Sequence, residues 1–208
     1  SIESILANIK GIKVAYPSNA ADFKGIIKAA YYDPNPCVIL EHKGLYWSKV
    51  PGTEDAKTIE PAEDYILPFG IANSIVKADE EEITNGRSAV IITYGMGVYW
   101  AKEAIKKFKG QVEVIDIRTI TPLDEKTIFK SVKTHGKCLV LTEEAINNSF
   151  AEALAYRISK ECFKELDAPV ATLGSLNLPA VPINFILEKE MLPNPEKVAQ
   201  KLEELFSF

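Results

Sequence analysis

An α/β fold built on a mostly parallel sheet is what this sequence predicts, and three observations predict it. Residues 112–123, VEVIDIRTITPL, place Val112, Val114, Ile115 and Ile117 in a run that suits a covered strand, and DEKTI then opens a helix. Similar strands flank this one at 89–94 and 138–142, each separated from it by a helix-length segment, which makes a βαβαβ run. The polar group Asp116, Arg118 and Thr119 falls at the carboxyl end of the central strand, the edge where open sheets build sites. In the corner that follows, Thr121 is expected as the N-cap, Pro122 at the first helical position and Asp124 where a capping carboxylate sits.

Taken in order, Ile2, Ile5, Leu6 and Ile9 have helical spacing and predict an amphipathic helix with these residues inward; an opening inside a helix, without Met, suggests a piece of something longer. A short strand is expected over 12–15. Pro17-Ser18-Asn19 then turns into a helix with Asp22 near its start and Phe23, Ile26, Ile27 and Ala30 on its inner face. Asp33-Pro34-Asn35-Pro36 ends it, because neither proline continues a helix, and 37–41 is the next strand. Residues 43–68, with Pro51, Gly52 and Pro61, read as a long surface connection, and such connections commonly have a function. A boundary is expected near 68–70, giving a first part over 1–69 and a second over 70–208.

In the second part an edge strand is expected over 71–76 and a turn at Asn85-Gly86, followed by strand 89–94 and helix 98–108. After the central strand come helix 124–134, stopped by Gly136, and strand 138–142. A helix over 150–163 carries Leu154, Ile158 and Cys162 on one face. Strand 170–173 and helices 184–191 and 195–206 close the chain, the last with a stripe of Val198, Leu202, Leu205 and Phe206. The alternation makes the second part a complete three-layer domain.

Composition narrows the function. Apolar residues make up 47% and charged residues 25%, ordinary values for a globular chain, and the net charge is −5 with no basic stripe, so no nucleic-acid partner is expected. No apolar run approaches the ~20 residues of a membrane span and no signal-peptide pattern opens the chain, so no membrane partner is expected either. Cys37, Cys138 and Cys162 lack metal spacing and read as reduced core thiols.

Candidate sites are few. Gly95-x-Gly97 after a strand, with Asp116 ending the next, looks like part of a dinucleotide fingerprint, but Trp100 fills the third glycine position and two glycines in such a turn have ordinary backbone reasons. Glu143-Glu144 ends a central strand; adjacent strand residues point to opposite sides, so one of them is expected to cap a helix or sit in solvent. His42 is expected to be exposed, and His135, before the stop glycine, to favour a helix C-terminus.

The motifs VEVIDIRTITPLD and LDAP (166–169), with GIKVAYPSNAADFKGIIKAA and DPNPCVILEHKGLY upstream, resemble the beta subunit of the thiamine-diphosphate-dependent first component of 2-oxo acid dehydrogenases, of the pyruvate or branched-chain type. The resemblance covers nearly the whole chain. It implies a transketolase C-terminal-type domain with a mostly parallel sheet, preceded by the end of a pyrimidine-binding α/β domain. It also implies that SIE at the start is the tail of a motif whose catalytic histidine lies just before it, with the glutamate that activates thiamine diphosphate further upstream. Thiamine diphosphate and magnesium would then belong to the full-length enzyme, and this chain by itself is expected to bind neither and to be inactive.

Carried over by position, the resemblance puts a potassium ion on backbone carbonyls at Ala30, Asp33 and Asn35, a plain proline turn being the alternative. It makes Asp167 of LDAP and the terminal Phe208 contacts for the subunit-binding domain of the lipoyl acyltransferase core. Further implied partners are an alpha subunit or alpha-like half and a second beta copy. The implied location is the cytoplasm in a bacterium or the mitochondrial matrix in a eukaryote. Ser149, Ala151 and Ile71 depart from the family pattern, which bears on local loop shape. Transketolase and deoxyxylulose phosphate synthase share the fold, and a non-catalytic interaction module is the rival from another class.

Overall fold

The computed structural model describes residues 2–208. Two sheets organise the chain. The smaller has the order β2-β1-β6: β1 (Lys13–Ala15) pairs in parallel with β2 (Cys37–Ile39) and antiparallel with β6 (Thr119–Thr121). The larger has the order β3-β5-β4-β7-β8, from Asn73–Val76, Val112–Asp116, Ala89–Thr93, Cys138–Ala145 and Ala171–Ser175. Its edge strand β3 runs antiparallel to β5, and the other three pairings are parallel. This is the expected mostly parallel sheet.

The large sheet is covered on both faces, so its central strands read as continuous apolar runs and all five residues of β4 are buried. Val90 and Ile92 pack in one cluster with Ile128 and Val132 of α5 (Glu125–His135) and Leu154 and Ile158 of α6 (Phe150–Glu161). Ala89 and Ile91 face the other way, onto Ala101 of α4 (Gly97–Ala104) and Val198 and Leu202 of α8 (Pro195–Phe206). The result is the expected three layers, with the core split by the period-2 alternation of β4.

Three local expectations are corrected. Helix α1 (Glu3–Ala7) turns Glu3 inward and leaves Ile2, Ile5 and Ile9 exposed, because Ser4 binds Glu144 of β7 and fixes the rotation of this short helix. In α2 (Ala20–Tyr31) the fully inward residues are Asp22, Gly25 and Ile26, while Ile27 is exposed. Arg118 draws Asp22 inward, and a Cβ on Gly25 would stand 2.6 Å from Tyr65 and 2.7 Å from Leu67 of the connection. Thr121 does not cap a helix: the corner is strand β6, and the cap of α5 is Asp124, whose carboxylate accepts from Thr127 N at 3.1 Å. A short acidic helix, α3 (Glu80–Thr84), precedes the Gly86 turn.

The connection over 43–68 holds two short 3-10 turns, Lys43–Leu45 and Glu54–Ala56, and the second is pinned to α4 by the Asp55–Lys102 ion pair and the buried Ala56. Gly136 stops α5 in the left-handed conformation at φ 69°, as expected. The last helices are α7 (Phe185–Met191), capped by Asn184, and α8, capped by Asn194 with Pro195 following; Val198, Leu202 and Leu205 are its buried stripe. Cys138 and Cys162 are core thiols, whereas Cys37 is only half-buried. Among the described residues no helix is long and apolar enough to cross a membrane.

Candidate functional site

Three regions carry the residues singled out from the sequence. The first is the seam between the two sheets, at the carboxyl ends of β1, β2, β4, β5 and β7. Arg118 crosses this seam with φ 59° and donates Nε and Nη2 to the two carboxylate oxygens of Asp22 at 2.8 and 2.9 Å. Asp116 is fully buried and accepts from Ser18 Oγ at 2.5 Å and Arg118 N at 2.9 Å. Burial outweighs these bonds and pushes its carboxyl up to about 6. The DIR of the central motif therefore fastens the small sheet to the large one.

Both carboxylates of Glu143-Glu144 lie at this seam and go to different partners. Glu144 caps α6 as expected, accepting from Phe150 N at 3.1 Å and also from Ser4 N at 3.0 Å. Glu143 Oε2 stands 3.0 Å from His42 Nε2 without the alignment of a hydrogen bond. His42 Nδ1 accepts from Gly44 N at 3.2 Å, so the ring proton sits on Nε2, facing Glu143. The expectation of an exposed His42 is corrected: it is half-buried because it reaches across to the second sheet. A cavity of about 250 Å³ opens beside it, walled by Pro17, Phe23, Leu45 and Ala56. The glycine turn adjoins the same seam. Gly95 has φ 53° and the Tyr16 ring packs on its Cα, while a Cβ on Gly97 would strike Thr93; both glycines answer to packing, in line with the ordinary backbone reading.

The second region is the proline turn. Asp33 N donates to the Ala30 carbonyl at 3.2 Å, Asn35 N donates to Asp33 Oδ1 at 3.0 Å, and Lys13 pairs with Asp33 Oδ2. The Lys13 ammonium and then the Asn35 donors hold the Asp33 carboxyl down at about 2.

The third region is the opposite, amino edge of the large sheet. Asp167 and Phe208, 41 residues apart in sequence, flank Lys137 at this edge and both are exposed, 61% for the Asp167 side chain and 70% for Phe208. Lys137 links them: its Nζ is 4.0 Å from Asp167 Oδ2, and it lines a depression with Arg87, Phe108, Gln111 and Phe208. Asp167 N donates to the Gly136 carbonyl at 2.8 Å, and the Asp167 carboxylate lies where a Gly136 Cβ would be. Gly136→Ala is expected to cost about 1–2 kcal/mol, from the left-handed φ plus displacement of Asp167, read as a lower denaturant midpoint.

Behind this edge lies a polar network with no exposed substrate face. His135 is buried; its Nδ1 is 2.8 Å from Ser88 Oγ and its Nε2 is 2.9 Å from Glu113 Oε2, while Ser131 and Ser74 donate to Glu113. Burial pushes the Glu113 carboxyl up, but the bonds from His135, Ser131 and Ser74 outweigh it and leave the group at about 2. Because the folded value lies below the ordinary 4.5, the stabilisation is full above pH 4.5 and is lost as pH falls towards 2. It amounts to about 3 kcal/mol. Urea midpoints measured at pH 6 and pH 3 are expected to differ less in Glu113→Gln than in the unaltered protein. No motif points to this network, since serines 74, 88 and 131 follow no recognisable spacing.

With this geometry in hand, the chain can be set beside known proteins. Residues 79–198 match the family model described as Transketolase, C-terminal domain, and residues 1–48 match Transketolase, pyrimidine binding domain. The chain is 36% identical over 211 residues to the 2-oxoisovalerate dehydrogenase subunit beta of Bacillus subtilis, covering 100% of this chain and 60% of that protein. It is 33% identical over 200 residues to the pyruvate dehydrogenase E1 component subunit beta of Rhizobium meliloti, covering 95% and 40%. The chain thus spans about half the length of these relatives. A solved structure titled "Split gene transketolase, inactive beta4 tetramer" superposes with a TM-score of 0.72 at 16% identity over 98% of this chain and 61% of that one, a likeness of fold.

Proposed function

The chain belongs to the family of the transketolase C-terminal domain, and on that premise we propose that it is the beta-type portion of the first component of a 2-oxo acid dehydrogenase. The observation that carries this reading is the 36% identity to a branched-chain beta subunit along the whole of the chain. In this reading the second domain contributes assembly with an alpha subunit or alpha-like half and with a second beta copy. It also docks the enzyme on the subunit-binding domain of its lipoyl acyltransferase. The full-length protein decarboxylates a 2-oxo acid and passes the acyl group to lipoamide.

Thiamine diphosphate supplies the carbanion chemistry of such an enzyme when bound. The seam cavity of this chain does not fit its magnesium diphosphate end: its walls are mainly apolar, and Lys57 is the one ammonium or guanidinium in its lining. No step is therefore assigned to residues here. A potassium ion on the carbonyls of Ala30, Asp33 and Asn35 is the second proposed element. The Ala30 carbonyl keeps one free lone pair beyond its bond to Asp33 N, and the Lys13 ammonium beside Asp33 is the cation it must tolerate. A rise in thermal stability with potassium over sodium, abolished in a variant that reshapes this turn, is the expected sign.

Docking is supported by the placement of Asp167 and Phe208 on one exposed face, where Lys137 and Asp167 are too far apart to cancel in full. An exposed carboxylate beside an aromatic suits a basic partner surface. The test compares binding of the cognate subunit-binding domain to the unaltered protein, to Asp167→Ala and to a chain lacking Phe208. Both changes are expected to weaken binding at least tenfold at low salt; equal affinity for all three contradicts docking at this face.

A further inference from the structure

Helix α1 meets the second domain through a pair of acids. Glu3 is fully buried, and among the described residues neither of its carboxyl oxygens has a hydrogen-bond partner. What faces it is Glu144 and Glu143 from β7, Tyr94 just past β4 and Tyr16 just past β1, none of them a cation. Among the described residues its own main-chain N–H is the opposing influence. The next residue is the anchor: Ser4 donates its main-chain N–H, at 3.0 Å, and its hydroxyl to Glu144 Oε1, whose other oxygen holds the start of α6. The acid that holds α1 in place is therefore also a charge set against Glu3. On the far side of the helix Ile5 and Ile9 are exposed, so the apolar grip is limited to Leu6 and Ala7, which pack against the core.

We propose that α1 is a proton-controlled latch on the second domain, docked through Ser4 and Glu144 while Glu3 carries a proton and released when Glu3 ionises. A buried carboxyl with no donor and two acids nearby is tolerated when neutral and strongly disfavoured when charged. Burial chiefly, and then Glu144 and Glu143, raise its carboxyl from 4.5 to about 7. The docked state therefore binds the proton more tightly than the released state, and docking weakens as pH rises from 4.5 through 7, by about tenfold per pH unit. Below that window and above it the latch is insensitive to pH.

The test is hydrogen–deuterium exchange across α1 in the protein that carries this chain, at pH 5.5 and pH 8.0, corrected for intrinsic exchange. Opening of α1 is expected to increase by roughly 30-fold in the unaltered protein. In Glu3→Gln, which keeps the shape and cannot ionise, the change is expected to stay below about twofold. An equal rise in both, or no rise in the unaltered protein, overturns the latch. Should the variant fail to fold, carbon-13 titration of the Glu3 carboxyl in the unaltered protein decides the matter: a midpoint near 7 supports the latch, and one at the ordinary 4.5 overturns it.

Discussion

Arg118→Met is expected to destabilise the protein by about 3–5 kcal/mol, the cost of leaving one member of a buried ion pair without its partner. Asp22 is buried at the start of α2, and its two oxygens accept the fork of Arg118 at 2.8 and 2.9 Å. Methionine keeps much of the apolar stem and removes all of the charge, so the loss isolates the pairing. In a chain of this length the change corresponds to a fall of about 10 °C in melting temperature. The double variant Arg118→Met with Asp22→Leu is expected to recover much of the loss, because it removes the stranded carboxylate. Lysine at 118 is expected to rescue only in part, since it lacks the fork geometry. A single variant that melts with the unaltered protein would show that the seam is held by other contacts.

Leu202→Ala is expected to cost about 2–5 kcal/mol through the cavity left in the layer between α8 and the large sheet. Leu202 is fully buried there among Ile91, Val114 and Leu139. The change also has a functional reading, because α8 carries Phe208 to the amino edge and the Phe108–Phe206 ring pair, 5.5 Å apart, closes that end. Loosening α8 is therefore expected to weaken the proposed acyltransferase docking more than Ile128→Ala, which opens a comparable hole on the opposite face under α5. Chemical denaturation gives the stability loss for each, and the binding assay gives the docking loss. Equal docking losses for the two variants at matched destabilisation would place the partner elsewhere.

The large sheet was legible because its strands obey one rule: central parallel strands are buried on both faces and so read as apolar runs. Residues 89–94, 112–117 and 138–142 could be found without any partner information. The helices packed on this sheet were legible for the complementary reason, since Leu154, Ile158 and Cys162, or Val198, Leu202 and Leu205, recur on one helical face. What failed were the places where a long-range polar contact sets local geometry. Asp22 looks like a first-turn helix carboxylate and is in fact an inward ion-pair partner, because Arg118 lies 96 residues away. Glu3 looks like the solvent side of an apolar stripe and is the buried side, because Ser4 engages Glu144. Thr119–Thr121 looks like a corner and is a strand, because its partner β1 lies more than a hundred residues upstream. Turn chemistry alone cannot disclose such pairings.

The docking face proposed at Asp167 and Phe208 is suggested in the sequence only by likeness. Asp167 and Phe208 have no periodic or spacing signal that joins them; Lys137 and the left-handed Gly136 bring them to one edge. The carboxyl edge of the large sheet faces the small sheet, and its amino edge carries the exposed Asp167 and Phe208. In the proposed reading, the amino edge serves assembly.

The most direct measurement is of the proposed reaction, in the protein that carries this chain assembled with the proposed alpha partner, thiamine diphosphate and magnesium. A lipoyl domain is supplied as acceptor, and pyruvate, a branched 2-oxo acid and a ketose phosphate with an aldose acceptor are offered in turn. The account predicts 2-oxo acid-dependent reductive acylation of the lipoyl domain and no ketol transfer between sugars. Ketol transfer without lipoyl acylation would contradict it and place the chain with the sugar-transferring members of the fold.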